Sequence, residues 1–201
     1  MKTLSIGLTG GIGCGKTLIA KVFSHLNVPI FNADTEAKLL YQDDEIKEQL
    51  KTMFSEDIFI ADVLNTKKLS QIVFSNKEKL QQLSDFIHPL VQKRYQSFLN
   101  KYTLLNIPYV IMESAIIFES KWENYFDKLI CINTPQNLVI QRAMQRDNAS
   151  KQEIMQRINN QLSVEYKISN SNYVILNDDL ALVLPQVINI DKQLKTLSII
   201  N

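Results

Sequence analysis

The stretch Gly10-Gly11-Ile12-Gly13-Cys14-Gly15-Lys16-Thr17 decides the fold. Ahead of it lies Leu4-Ser5-Ile6-Gly7-Leu8-Thr9, an apolar run that reads as a buried strand. Behind it, Leu18-Ile19-Ala20-Lys21-Val22-Phe23 has helical spacing. Gly10, Gly15, Lys16 and Thr17 fit G-x-x-x-x-G-K-[ST], the phosphate-binding P-loop, in its strand–loop–helix setting. The chain holds only five glycines, and all precede Lys16, so a sequence that otherwise avoids glycine concentrates it here.

The residue types follow from the chemistry of a polyphosphate, which needs several donors around one small volume. Backbone N–H groups of Gly10, Gly11, Ile12, Gly13, Cys14, Gly15 and Leu18 supply them where the chain wraps closely. The helix opening at Gly15 turns its free N–H groups and positive dipole end toward the same point. Lys16 adds a mobile charge for the β- and γ-phosphates, and the Thr17 hydroxyl is a candidate Mg²⁺ ligand.

Composition narrows the class. In 201 residues, 22 basic side chains nearly balance 21 acidic ones, which gives no support to a nucleic-acid partner. No apolar run approaches membrane-spanning length, and no membrane partner is expected. Cys14 and Cys131 make neither a disulfide framework nor a zinc site; a reducing cytoplasm fits best, for a monomer or small homo-oligomer. Cys14, close to a helix N-terminus, is a candidate for oxidation.

Further along, Val28-Pro29-Ile30-Phe31 reads as a second strand ending in Asn32-Ala33-Asp34. Asp34 then stands at a strand's carboxyl end, where ligands bind in open α/β sheets, or caps the helix expected from Thr35. Residues 42–106 carry few strand signals and several amphipathic helical ones, with Pro89 either kinking the last helix or opening another. This block is an insertion able to close over an acceptor. His88, in an apolar setting, is either a packed helix-junction residue or a substrate contact.

Tyr109-Val110-Ile111-Met112-Glu113 reads as a central strand. If it lies beside the first strand, Glu113 faces the phosphate site from the Walker-B position and can hold magnesium; otherwise it is a solvated strand end. Residues 128–132 and 173–176 read as the remaining strands, the last ending at Asn177, with Asp178 or Asp179 capping a C-terminal helix. Between them, Arg142 and Arg146 share a helix face, and Ser150-x-x-Glu153 is a capping box that starts a helix carrying Arg157. The arginines form either a solvated face or a flap that stabilises a migrating phosphoryl group and excludes water. Five strands alternating with helices predict an α/β P-loop NTPase fold with a five-stranded parallel sheet covered on both faces.

A GTPase reading fails on guanine recognition, since no Asn-Lys-x-Asp is present. A small-molecule kinase needs a P-loop, an acceptor-binding insertion, a carboxylate near the acceptor hydroxyl and an arginine lid, and candidates for all four occur in suitable order. Another P-loop kinase or a nucleotide-binding regulatory module remains the alternative.

The chain resembles the dephospho-coenzyme A kinase family. The similarity rests on Leu8-Thr9-Gly10-Gly11-Ile12-Gly13-x-Gly15-Lys16, Asn32-Ala33-Asp34-x-x-Ala37, Ile87-His88-Pro89-Leu90 and Ile116-Ile117-Phe118-Glu119. It continues through Gln141-Arg142-x-x-x-Arg146-Asp147, Arg157-Ile158-x-x-Gln161 and Tyr173-Val174-Ile175. The resemblance implies ATP-dependent phosphorylation of the ribose 3′-hydroxyl of dephospho-coenzyme A with magnesium present. It implies a nucleotide-binding core over 1–34 and 107–201, an acceptor-binding insertion over 35–106 and a lid within 138–162. It gives Asp34 the role of base, Lys16 and Thr17 the phosphates and metal, and Arg142 and Arg146 the lid. It also places His88, Glu113 and Gln161 toward the acceptor and Asn177 near adenine. Departures are Leu18 where a hydroxyl is common, Glu113 where Asp is more usual, Asn172 for Asp and Cys14 for Ser.

Overall fold

The computed structural model describes residues 2–54 and 58–200. Its centre is a five-stranded parallel sheet in the order β2-β5-β1-β6-β7, formed by β1 (Leu4–Gly10), β2 (Ile30–Asn32), β5 (Tyr109–Glu113), β6 (Lys128–Asn133) and β7 (Tyr173–Leu176). β1 is buried at every position, as a strand covered on both faces must be. The register aligns Leu8 with Glu113, Asn32 with Glu113, Gly10 with Ile132, and Asn133 with Leu176. The carboxyl ends therefore form one edge, with β1 between the strand that returns from the insertion and the one that follows it. That switch of direction is where open α/β sheets bind ligands.

Helices α1 (Lys16–His25) and α9 (Val183–Ile200) pack on one face of this sheet, where Ile19, Phe23, Ile190 and Leu194 meet Ile6 and Ile130. α6 (Gln136–Asp147), α7 (Lys151–Asn159) and α8 (Val164–Ser169) follow β6. α7 opens with the expected reciprocal capping box of Ser150 and Glu153, and α6 stops where Asn148 takes a left-handed conformation.

The chain divides into two compact units, Met1–Asn32 with Phe98–Asn201, and Ala33–Ser97. The second unit holds α2 (Ala33–Leu40), α3 (Asp44–Phe54), α4 (Thr66–Phe74) and most of α5 (Lys77–Leu104). Its apolar stripes bury Leu40, Ile46, Leu50, Ile58, Ile87 and Val91. Arg94 of α5 pairs with Glu36 of α2 at 3.1 Å. No described helix is long and apolar enough to cross a membrane.

Several local expectations change. A two-stranded hairpin, β3 (Phe59–Ile60) with β4 (Val63–Leu64), occurs in the block read as helical; Ala61 and Asp62 turn it with positive φ angles. Its strands are two residues each, too short to show alternation. α5 runs unbroken through Pro89, so His88 lies within one helix instead of at a junction. α8, six residues long, leaves no amphipathic pattern in sequence. Asp178 does not cap α9, which begins at Val183; its carboxylate accepts from Leu180 and Ala181 N–H in the preceding loop.

Candidate active site

The loop between β1 and α1 is shaped by glycine where nothing else fits. Gly13 has φ +72°, and a Cβ there would lie 2.7 Å from the Val139 carbonyl oxygen. Gly15 has φ +92°, and a Cβ there would collide with the Asn177 side-chain nitrogen. α1 carries no acidic residue in its first turn and no side-chain cap, leaving its N-terminal N–H groups open to an anion.

Around the loop, side chains fix its carbonyls. Lys16 Nζ spans it, donating to Gly10 O at 3.0 Å and Gly11 O at 2.9 Å. Asn177 Nδ2 and Thr134 Oγ1 both donate to Cys14 O, at 2.8 and 3.0 Å. Asn177 is thus buried against the loop from the end of β7. Gln161 reaches in from beyond α7, its side-chain oxygen accepting from Ile12 N–H at 2.9 Å. Leu18 is exposed. Cys14 is 1% exposed, which removes the solvent access that oxidation requires and corrects the expectation for that thiol.

One step toward the insertion, β5 delivers Glu113 next to β1 as the strand reading required. Glu113 is 5% exposed, yet both carboxylate oxygens are engaged: Thr17 Oγ1 donates to Oε1 at 2.7 Å and Asn32 Nδ2 to Oε2 at 2.8 Å. This excludes the solvated strand-end reading. A hydroxyl and a carboxylate in contact at the mouth of a phosphate loop are hard oxygen donors of the kind Mg²⁺ takes, so the residues present fit the metal. Asn32 carried no role in the sequence reading. Only its position, a polar residue ending a short strand, hinted at one.

Asp34 is corrected in position. β2 stops at Asn32 and α2 starts at Ala33, so Asp34 sits in the first helical turn, neither ending the strand nor capping the helix. Within its own unit it raises the Tyr41 hydroxyl above the usual phenol range, behind the larger effect of burial. His88 is held below the ordinary imidazole range by burial, with Asp85 opposing.

The paired arginines of α6 have different partners. Arg142 donates to Asn177 O at 3.3 Å and pairs with Asp179 at 2.5 Å. Arg146 grips Asp147 with two donors, at 2.7 and 3.0 Å, and Arg157 shares the same carboxylate at 2.7 Å. These contacts hold the Asp147 carboxyl below the usual range, Arg146 contributing most. A cleft of about 830 Å³ opens between the turn after β5 and the exit of α7, with Gln161, Glu119 and Tyr166 in its wall.

A glycine loop at the switch point of a parallel sheet, with a carboxylate beside its threonine, defines a P-loop nucleotide-binding protein. The dephospho-CoA kinase family model matches residues 4–182. A dephospho-CoA kinase of Bacteroides fragilis is 33% identical over 188 residues, 93% of this chain and 91% of that protein. This chain belongs to the dephospho-CoA kinase family. Among solved structures, one from Thermus thermophilus superposes with a TM-score of 0.86 at 26% identity, covering 96% of this chain and 98% of that one. The dephospho-CoA kinase from Campylobacter jejuni has the same fold, with a TM-score of 0.70 at 24% identity over 96% and 97%.

Proposed function

We propose that this chain transfers the γ-phosphoryl group of ATP to the ribose 3′-hydroxyl of dephospho-coenzyme A, giving coenzyme A and ADP. The observation that carries this reading, within a chain of that family, is the contact of Thr17 with Glu113 at the mouth of the glycine loop. Backbone N–H groups of 10–18 seat the triphosphate, and Lys16 moves from the loop carbonyls to the β- and γ-phosphates. Thr17 and Glu113 would hold Mg²⁺, with Asn32 orienting the carboxylate. When bound, the metal would supply charge neutralisation at the phosphate oxygens.

Asp34, two residues beyond Asn32, accepts the proton as the 3′-oxygen bonds to the γ-phosphorus and the bond to the ADP oxygen breaks. Arg142 and Arg146, on a lid spanning 138–162, stabilise the charge on the moving group. The insertion over 35–106, with His88, takes the coenzyme arm; Gln161 would meet the acceptor and Asn177 the adenine of ATP.

The test is ADP release with dephospho-coenzyme A, AMP, CMP and shikimate as acceptors, in wild type and Asp34→Asn. Turnover confined to dephospho-coenzyme A, and lost in a variant that still binds ATP, is the expected result. Turnover with another acceptor instead would replace the substrate assignment, and a fully active variant would remove Asp34 as base.

A further inference from the structure

The phosphate loop is tied to the exit of α7 by one side chain, and an ion pair made by a buried lysine stands behind it. Gln161 accepts from Ile12 N–H through its carboxamide oxygen at 2.9 Å; the N–H donates, so the oxygen is the atom that faces it. Gln161 is itself held from both sides. Its own N–H donates to Ile158 O at 3.0 Å, and the next N–H, of Leu162, donates to Glu119 Oε1 at 3.0 Å.

Glu119 is in turn anchored by Lys167, whose side chain is fully buried. Lys167 Nζ lies 2.7 Å from Glu119 Oε1 and donates to Ala115 O at 2.9 Å. A buried ammonium persists only where its charge and donors are matched. Here they are matched by the turn that follows Glu113. A continuous chain of contacts therefore runs from that turn, through Lys167 and Glu119, to Leu162, Gln161 and the loop.

We infer that Gln161 is a positioning residue of the phosphate loop, set in place by the Lys167–Glu119 pair. It fixes the Ile12 peptide, and with it the direction of the N–H groups that follow. The inference rests on the reading that this loop binds a nucleoside triphosphate. Gln161→Met keeps the length of the side chain and removes the oxygen. Lys167→Met removes the anchor and leaves Glu119, which is partly exposed, without its cation.

The experiment measures amide hydrogen exchange at Ile12 by NMR, the affinity for a non-hydrolysable ATP analogue, and the melting temperature. In Gln161→Met, Ile12 exchange quickens about tenfold and analogue affinity falls about tenfold, as for a lost hydrogen bond to a backbone donor. The melting temperature stays near wild type, since the side chain is half-buried. Lys167→Met moves the same two readouts in the same direction by about two- to fivefold. Unchanged Ile12 exchange or unchanged affinity in Gln161→Met overturns the inference, as does a fall in melting temperature without selective loss of Ile12 protection. A wild-type protein that does not bind the analogue overturns the proposed function as well, whereas equal binding by wild type and variant overturns only this inference.

Discussion

Thr17 Oγ1 donates to Glu113 Oε1 at 2.7 Å, joining the first turn of α1 to the last residue of β5. The contact exists because β5 pairs with β1 in a register that places Glu113 opposite Leu8, just ahead of the loop. Glu113→Gln removes the charge and turns one acceptor into a donor, while Thr17 and Asn32 keep one oxygen to meet. Turnover falls about 100-fold, the loss of roughly 3 kcal/mol of charge stabilisation. The magnesium concentration for half-maximal rate rises. An unchanged magnesium titration would remove Glu113 from the metal's surroundings.

Lys16→Met is the corresponding test of the loop. Lys16 Nζ makes its two bonds to Gly10 O and Gly11 O, both on the loop itself. In the proposed reaction the same charge goes to the phosphates of ATP, and its loss should cost about 1.5–3 kcal/mol of binding, as for a hydrogen bond to a charged group. Calorimetric titration with ATP should show affinity at least tenfold weaker. Wild-type affinity would mean that the lysine serves only the loop's own carbonyls.

Much of this site was legible in the chain before folding. A P-loop announces itself because glycine, lysine and threonine occur at fixed spacing for backbone reasons. Glu113 was legible because it ends a nearly all-apolar run, the pattern of a central parallel strand. Asn32 and Lys167 were not legible, because each gains its meaning from a partner far away in sequence: Glu113 at 81 positions for Asn32, and Ala115 at 52 positions for Lys167. The start of α2 at Ala33 is hard to read because Asn32, Asp34 and Thr35 are all residue types that cap helices, with no proline or glycine to single one out.

Protonation of His88 gives a stability signature. Burial holds its folded acid constant below the unfolded value near 6.5. The unfolded chain therefore binds more protons between those two values, and stability declines as pH falls from about 7 through that window. Melting temperatures from pH 7.5 to 5 should drop in wild type and drop less in His88→Gln. Parallel curves for the two proteins would assign the acid sensitivity elsewhere.

Tyr109 tests the packing of α9 against β5. Its hydroxyl donates to Asp191 Oδ1 at 2.7 Å in the interior, where Lys195 also reaches Oδ2 at 2.9 Å. Burial first, then this bond, raises the phenol far above its ordinary range. Tyr109→Phe leaves Asp191 one donor short at about 1.5–3 kcal/mol. For a chain of this length that lowers the melting temperature by roughly 3–12 °C. Tyr109 opens β5 and Glu113 ends it, so ATP affinity should not change. A fall in ATP affinity would show that strain at this end of the strand reaches the loop.

The arginines of α6 set the last prediction. Arg146 is 61% exposed and clamps Asp147 with two donors, while Arg157 takes the same carboxylate. A guanidinium held this way can act on a phosphoryl group only by exchanging one oxyanion for another. An exposed pair of this kind contributes little, and solvent screens it, so the exchange is cheap. Asp147→Asn should therefore leave kcat within about threefold of wild type. Arg146→Ala should lower kcat by about 100-fold or more with the acceptor KM nearly unchanged, because the lost donors act where charge moves. Arg142 starts from a more enclosed place, against Asn177 O and Asp179, and Arg142→Ala should raise the KM for ATP as well as lowering kcat. Steady-state kinetics of the three variants over both substrates decide the matter: an Arg146→Ala defect confined to the acceptor KM would make that side chain a binder of the resting substrate and leave the transferring group to Arg142.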